Sequence, residues 1–363
     1  MTAPRSTAQS GFILPTVIWT VTALALVAAV TTEWVSHAVN QAYARSIRAE
    51  AERRIAESEA QILYLLTTEP LSGRGIEIFD QQRKLVRKFD PTGLMPLGLD
   101  YVAVDDRPYL RDDVTIRIQD MRGLINLNNA PDEDIFQLLA YYDVPFTERG
   151  NLIAKLRDFI AEGDLARPGG AKRQAYASAG LPPPTYAPLI TPSQAQRIMD
   201  WGDRLEIWDV YSGIQTLTST GQLSALNLLT APRPILLTVP GINARTADAI
   251  IAIRERQLIN STPELAKLVN APINLDPFKY ILFPANELRL RLSMRGDQYE
   301  RVIALKLTGT ELDGPYRINY SYLTPINQST APDRDPILLP RPILTPMPDG
   351  IDLNQALAAP PRF

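Results

Sequence analysis

From Phe12 to Thr32 the chain carries no charged residue, and the first one after the run is Glu33. At about 1.5 Å per helical residue, such a run crosses a hydrocarbon core of about 30 Å. So long an apolar stretch this close to a terminus is uncommon in a soluble domain, and the expectation is a membrane span. Arg5 and the amino terminus lie on one side of it, which puts the leader in the cytoplasm and the remainder outside. A secretory signal peptide is cut after its apolar core. Here the plausible junction, Ser10-Gly11-Phe12-Ile13, comes before the core, so cutting between Gly11 and Phe12 leaves the span attached. Pro15 then falls in the first turn of the new helix, where its missing N–H has no partner to lose.

Neither proline nor glycine occurs again before Pro70, so one helix of about 80 Å can run through membrane and stalk. Across residues 33–66, Trp34, Val35, Ala38, Ala42, Ile55, Ile62, Leu63 and Leu66 recur at helical spacing among Arg48, Glu52, Arg53, Glu57 and Glu59. That pattern is amphipathic and needs a partner for its apolar side.

The 363 residues leave room for two modest cored domains beyond the span. With no cysteine and a single histidine, His37, the chain has no disulfide framework, thiol nucleophile, thiolate zinc site or multi-histidine metal centre. His37 lies just outside the span, where it reads as a surface imidazole. A net charge of −3 offers no global attraction to nucleic acid.

After the stalk, the segments 75–79, 99–104 and 114–119 read as strands, the last alternating Val114, Ile116 and Ile118 with polar residues. From about Asn126 the pattern becomes helical, with helices expected over 135–142, 151–161, 194–204 and 244–257 between proline and glycine clusters. Strands return at 287–294, 301–308 and 316–322, alternating well enough for an antiparallel meander. A helical block between strands of one character suggests an insertion into a single α+β domain whose sheet is completed from both flanks. The expected organisation is a leader (1–11), a transmembrane and stalk helix (12–66), two parts of an α+β domain (67–125 and 286–325), an inserted helical domain (126–285), and a proline-rich extended tail (326–363) packed along the surface.

Within the helical block the chain repeats itself. Leu127-Asn128-Asn129-Ala130-Pro131 leads to Val144-Pro145-Phe146 and a helix over 151–159, while Leu226, Asn227, Thr230, Ala231 and Pro232 lead to Val239-Pro240-Gly241 and a helix over 246–255. Asparagine caps and proline opens a helix, so the repeated letters have a mechanical reason. The second copy, Pro240-Gly241-Ile242-Asn243-Ala244, resembles a helix-hairpin-helix, whose DNA-binding examples present backbone N–H groups to a phosphate beside lysine or arginine. Asn243 stands where a second glycine is usual, and Asp248 and Glu255 oppose Arg245 and Arg254. The hairpin is therefore read as packing structure.

The order of these features resembles the K-type minor pseudopilin of the bacterial type II secretion system, the general secretion pathway protein K family, across nearly the whole chain. The resemblance rests on the Gly11 junction and the long helix, on Asp120, Gly123, Asn126, Leu127 and Asn128, and on the 227–232 segment. Leu156, Asp158, Phe159 and Ile160, then Gly169, Gly170, Ala171 and Tyr176, look like the family's aromatic-acidic helix end and following loop. Phe159 replaces the usual tryptophan, Lys172 a frequent glutamate, and Leu228-Leu229 loosens the asparagine-rich second motif. Other pilin-like proteins usually carry glutamate where this chain has Thr16, fifth after the junction. In a filament that carboxylate meets the free amine of the subunit ahead in an apolar layer, and a tip subunit has none ahead.

The resemblance implies prepilin peptidase cleavage between Gly11 and Phe12, N-methylation of Phe12, assembly with the I- and J-type minor pseudopilins through the apolar side of residues 33–66, and a place at the pseudopilus tip above the major pseudopilin. The bulk would lie in the periplasm on a single-pass inner-membrane anchor, with secreted substrates or the outer-membrane channel meeting the insertion. The role is mechanical, not catalytic, with no nucleic-acid partner and no required cofactor. Some relatives bind calcium, and Asp105, Asp106, Asp112 and Asp113 are the acidic candidates; no EF-hand-like spacing occurs, so they read as solvated carboxylates and no metal ligand is assigned. The alternatives are a membrane-anchored helix-hairpin-helix DNA receptor of a competence-like system and, further off, an anchored hydrolase, for which no nucleophile elbow or phosphate loop appears.

Overall fold

The structure is a computed structural model that describes residues 13–78, 101–209, 213–223, 225–256, 259–271, 273, 275–276, 278–309, 314–326 and 336–340. It divides into two units, residues 1–56 and 57–363. Helix α1, Ile13–Thr68, runs unbroken for 56 residues, as expected of a stretch without glycine or proline beyond Pro15.

The core of the second unit is built on a six-stranded sheet. Strand β4 (Asp105–Arg111) turns tightly into β5 (Val114–Asp120), and β10 (Glu287–Met294), β11 (Tyr299–Leu307) and β12 (Tyr316–Pro325) form the anticipated antiparallel meander. The spatial order is β12-β11-β10-β5-β4-β13, the last being Ile337–Leu338 laid parallel to β4. Strand β5 pairs directly with β10, with Leu288 opposite Asp120, so the sheet takes strands from both sides of the helical block. A small antiparallel sheet of β1 (Leu71–Ser72), β2 (Gly75–Glu77) and β3 (Tyr101–Val102) stands beside it.

Alternation sorts the two faces of the large sheet. Ile116, Ile118, Leu288, Leu290, Leu292, Ile303 and Leu305 are buried. The end of α1 supplies Ile62, Leu63, Leu65 and Leu66 to the core, and Arg301 of β11 donates to Glu59 at 3.3 Å, which places that helix end on the face of Ile303 and Leu305. On the opposite face the buried Arg289 donates to the carbonyls of Gln215 (3.1 Å) and Thr216 (2.6 Å), and the buried Glu287 receives the Gln222 N–H at 3.2 Å. The helical block rests on that second face.

Several expectations need correction. Residues 105–111, to which no strand was assigned, form β4, and within the described residues the 99–104 strand is Tyr101–Val102, with 99 and 100 lying outside them. The helix expected from Asn151 starts at Phe146, directly after Pro145, because proline opens the first turn instead of ending a hairpin. No helix covers 194–204: a short 3-10 segment, Pro192–Arg197, gives way to turns. Asp200 adopts φ 66°, and a Cβ at Gly202 would sit 2.5 Å from the Gln196 carbonyl, so the chain doubles back and drives Trp201 into the core. Finally, β12 extends to Pro325, three residues beyond the strand expected over 316–322. Residues 327–335 and 341–363 of the expected tail lie outside the described residues.

Candidate functional site

The first candidate element is α1 itself. Its amino-terminal half is exposed on all sides, including Leu14, Val17, Trp19, Leu24, Val27 and Val30, and it is long and apolar enough to cross a membrane. Its threonines fit an environment without water. The hydroxyls of Thr20, Thr22, Thr31 and Thr32 donate to carbonyls three or four residues back, at 2.7–2.9 Å. Thr16 lies on this helix and is exposed, whereas Gly11 and Phe12 lie outside the described residues. Farther along, Val35, Val39, Tyr43 and Ile47 remain exposed at intervals of four residues. A row of this spacing forms one apolar stripe along the helix.

The repeat seen in the sequence is a structural unit. In the first copy β6 (Ile125–Asn126) pairs in parallel with β7 (Thr218–Ser219); in the second, β8 (Leu226–Asn227) pairs in parallel with β9 (Tyr280–Ile281). Asn126 Oδ1 then accepts the N–H groups of Asn128 and Asn129, and Asn227 Oδ1 accepts that of Leu229, so each asparagine closes a turn that delivers the chain to Ala-Pro and a helix. Helix α2 (Asp132–Tyr141) and α3 (Phe146–Ile160) follow the first clip, and α6 (Arg233–Thr238) and α7 (Ala244–Arg256) the second; the short α4 (Arg173–Ser178) and α5 (Ile214–Leu217) lie between. Each closing helix returns an arginine to its own clip: Arg157 donates to the carbonyls of Leu127, Asn128 and Ala130, and Arg254 to that of Ala231.

The second clip meets the sheet at Asp120. This carboxylate is fully buried and accepts four hydrogen bonds: from Thr230 Oγ1 (2.7 Å), Asn227 Nδ2 (2.9 Å), Ala285 N (2.9 Å) and Arg122 N (3.0 Å). Burial pushes its pKa up, opposed by those four donors. Both weak motifs of the sequence, around residues 120–128 and 227–232, thus converge on one carboxylate. A strand-end aspartate reads alone as a turn residue, and only the fold reveals the hub.

Beside it, the buried Asp105 binds Arg107 through two contacts of 2.7 Å and Arg254 at 3.1 Å, while Arg107 also faces Glu255 at 3.7 Å. Asp106 pairs with Arg291 at 2.9 Å, and Arg291 in turn with Glu300. Asp105 is therefore no solvated carboxylate. Asp112 and Asp113 occupy the exposed β4–β5 turn. With arginines already on Asp105 and Asp106, these four do not fit together as a calcium cage, and among the described residues no three or more carboxylates or imidazoles converge.

The hairpin at Pro240-Gly241 is exposed, with Gly241 at φ 84° and Ile242 buried beneath it. Asn243 Oδ1 accepts the Thr246 N–H at 3.0 Å and so caps α7. Arg254, one of the two cations available to a phosphate there, is turned inward to Asp105 and Ala231. The aromatic-acidic motif is structural as well. Asp158 is buried at the end of α3 and receives the Arg167 N–H, Gly170 passes against its carboxylate, and Lys172 Nζ donates to the carbonyls of Asp158 and Ala161. Lysine in place of glutamate thereby satisfies the C-terminal carbonyls of α3.

The described fold is thus an α+β protein with a long amino-terminal helix, an antiparallel sheet and a helical block. Among solved structures it is similar to a chain in the crystal structure of the GspK-GspI-GspJ complex from the enterotoxigenic Escherichia coli type 2 secretion system, with 13% identity and a TM-score of 0.48 over 78% of this chain and 99% of that one. No family model and no curated protein matches the chain.

Proposed function

We propose that this protein is a minor pseudopilin of the K type, anchored in the bacterial inner membrane with its bulk in the periplasm and seated at the tip of a type II secretion pseudopilus. The observation that carries the reading is α1: one uninterrupted helix whose first part suits a bilayer and whose next part presents the stripe of Val35, Val39, Tyr43 and Ile47. An exposed apolar stripe along a long helix asks for other helices of the same kind. The I- and J-type minor pseudopilins are the partners, with the major pseudopilin below. The helical block carried on the sheet supports the tip position, because its bulk would crowd neighbours lower in a shaft. Thr16 in place of a carboxylate supports it too.

In this reading prepilin peptidase cuts after Gly11, Phe12 is methylated, and the helical block faces secreted substrates or the outer-membrane channel. The protein initiates assembly and performs no catalysis. Co-purification of the full chain with two other pilin-like proteins of one secretion system tests the partnership, and a duplex-binding protein in its place would refute it. Mass spectrometry of the amino-terminal peptide tests the processing; an unmodified leader in the assembled protein, or normal secretion by an uncut Gly11 variant, is the contrary result.

A further inference from the structure

The last carbonyls of a helix have no donor within it and carry the negative end of its dipole. In α3 that end is buried together with the Asp158 carboxylate, whose Oδ2 accepts the Arg167 N–H at 3.0 Å and whose Oδ1 lies 3.9 Å from the Arg167 guanidinium. Such a cluster of oxygens attracts a cation. The buried Lys172 supplies one: its Nζ donates to the carbonyls of Asp158 at 3.0 Å and Ala161 at 2.6 Å and lies 4.9 Å from the centre of the Tyr186 ring. Two carbonyls and an aromatic face are the surroundings that a small cation seeks.

Three stretches of chain close on this point. Gly169 turns at φ 74°, and a Cβ at Gly170 would fall 2.0 Å from Asp158 Oδ2, so the loop that brings Lys172 back can lie flat against the carboxylate. From the other side, Tyr186 donates its N–H to the Phe159 carbonyl at 3.0 Å, and its Oη accepts the Arg173 N–H at 3.3 Å. Tyr186 holds φ 52°, a left-handed conformation rare for a bulky side chain, in the arrangement that sets its ring over the ammonium.

We propose that the Lys172 ammonium is a tethered cation, which organises the 158–186 loop as a bound metal ion organises an oxygen cage, so that the loop closes without a divalent ion. Calcium, which some relatives bind, does not fit beside it. That ion needs about six to eight oxygen ligands, and here the carbonyls are already taken by a positive charge. A cation on the chain itself cannot be lost to a chelator.

The test uses the full chain in detergent micelles. The parent is expected to show the same Tm in calcium chloride and in EDTA at equal ionic strength. Lys172→Ala should lower Tm, and propylammonium should restore part of the loss saturably, whereas the bulkier tetramethylammonium should not. Lys172→Glu places a carboxylate among the carbonyls instead, and its Tm should rise saturably with calcium. A readout on the parent alone holds even where a variant folds poorly: acetylation followed by mass spectrometry should modify Lys172 at least about tenfold more slowly than the exposed Lys267, equally in calcium and in EDTA. A parent stabilised by calcium, a Lys172→Ala protein that unfolds at the parent's temperature or answers both amines alike, a folded Lys172→Glu protein indifferent to calcium, or a Lys172 acetylated as fast as Lys267 would each overturn the assignment.

Discussion

The backbone N–H of Ala285 donates to the Asp120 carboxylate at 2.9 Å across 165 residues of chain. Asp120 closes β5 and Ala285 stands just before β10, so one carboxylate holds the start and the end of the helical block together. Its other donors, Arg122 N, Asn227 Nδ2 and Thr230 Oγ1, bring the second clip to the same point.

Replacing Asp120 by alanine leaves those donors buried and unpaired, and the cost expected in chemical denaturation is at least about 3 kcal/mol. Asp120→Asn retains an acceptor and costs less. The pH dependence has a definite sign. Because burial raises the folded-state pKa above its unfolded value, the native protein binds the extra proton. The stability from this group is fully present below the unfolded pKa and is lost as pH rises through the folded one. As pH rises above the ordinary carboxylate range the parent should therefore lose stability relative to Asp120→Asn; a parent that gains it would contradict the raised pKa.

The side chains of Arg254 and Asp105 are both buried, and Arg107 keeps its two contacts to Asp105 when Arg254 is removed, so the loss is partial. Arg254→Met should destabilise by about 1–3 kcal/mol, and a double-mutant cycle with Asp105→Asn should show measurable coupling. The exposed Arg233–Asp248 pair serves as the contrast, because Arg233→Gln is expected to leave the unfolding midpoint unchanged.

Two glycines should respond in opposite directions. A Cβ at Gly170 would overlap the buried Asp158 carboxylate, so Gly170→Ala should cost about 1–3 kcal/mol. Gly150 lies inside α3 with open space around its Cβ position, and Gly150→Ala should stabilise by about 0.5–1 kcal/mol. Equal effects at both sites would mean that the Asp158 loop yields easily.

A charge in the span tests the anchor. Leu24→Arg raises the insertion cost by about 2.5–3.5 kcal/mol plus the lost leucine contribution, so the fraction of protein resisting alkaline extraction from membranes should fall. An unchanged fraction would remove the membrane reading of α1.

Where the chain could be read in advance, the signal was local. The absence of glycine and proline after Pro15 foretold α1, and the alternation of Leu288, Leu290 and Leu292 foretold β10. The clips could be read because asparagine and Ala-Pro act within a few residues of themselves. Strand β4 could not, because Asp105-Asp106-Arg107-Pro108 has the composition of a turn and is buried only through Arg254 and Arg291, far along the chain. Arg289 was passed over for the same reason, as nothing in its own neighbourhood marks it as buried. At 194–204 the helical pattern was overruled by Asp200 and Gly202, which bend the chain to bury Trp201.

The direct pairing of Leu288 with Asp120 has an evolutionary consequence. Opposed residues of neighbouring antiparallel strands lie only about 5 Å apart, the separation that a tight hairpin bridges. The long excursion between β5 and β10 therefore leaves and rejoins the sheet at one doorway. A lineage can enlarge, trim or exchange what hangs there without rewiring the strand order, which makes the helical block a cassette that can change while α1 and the sheet keep their form.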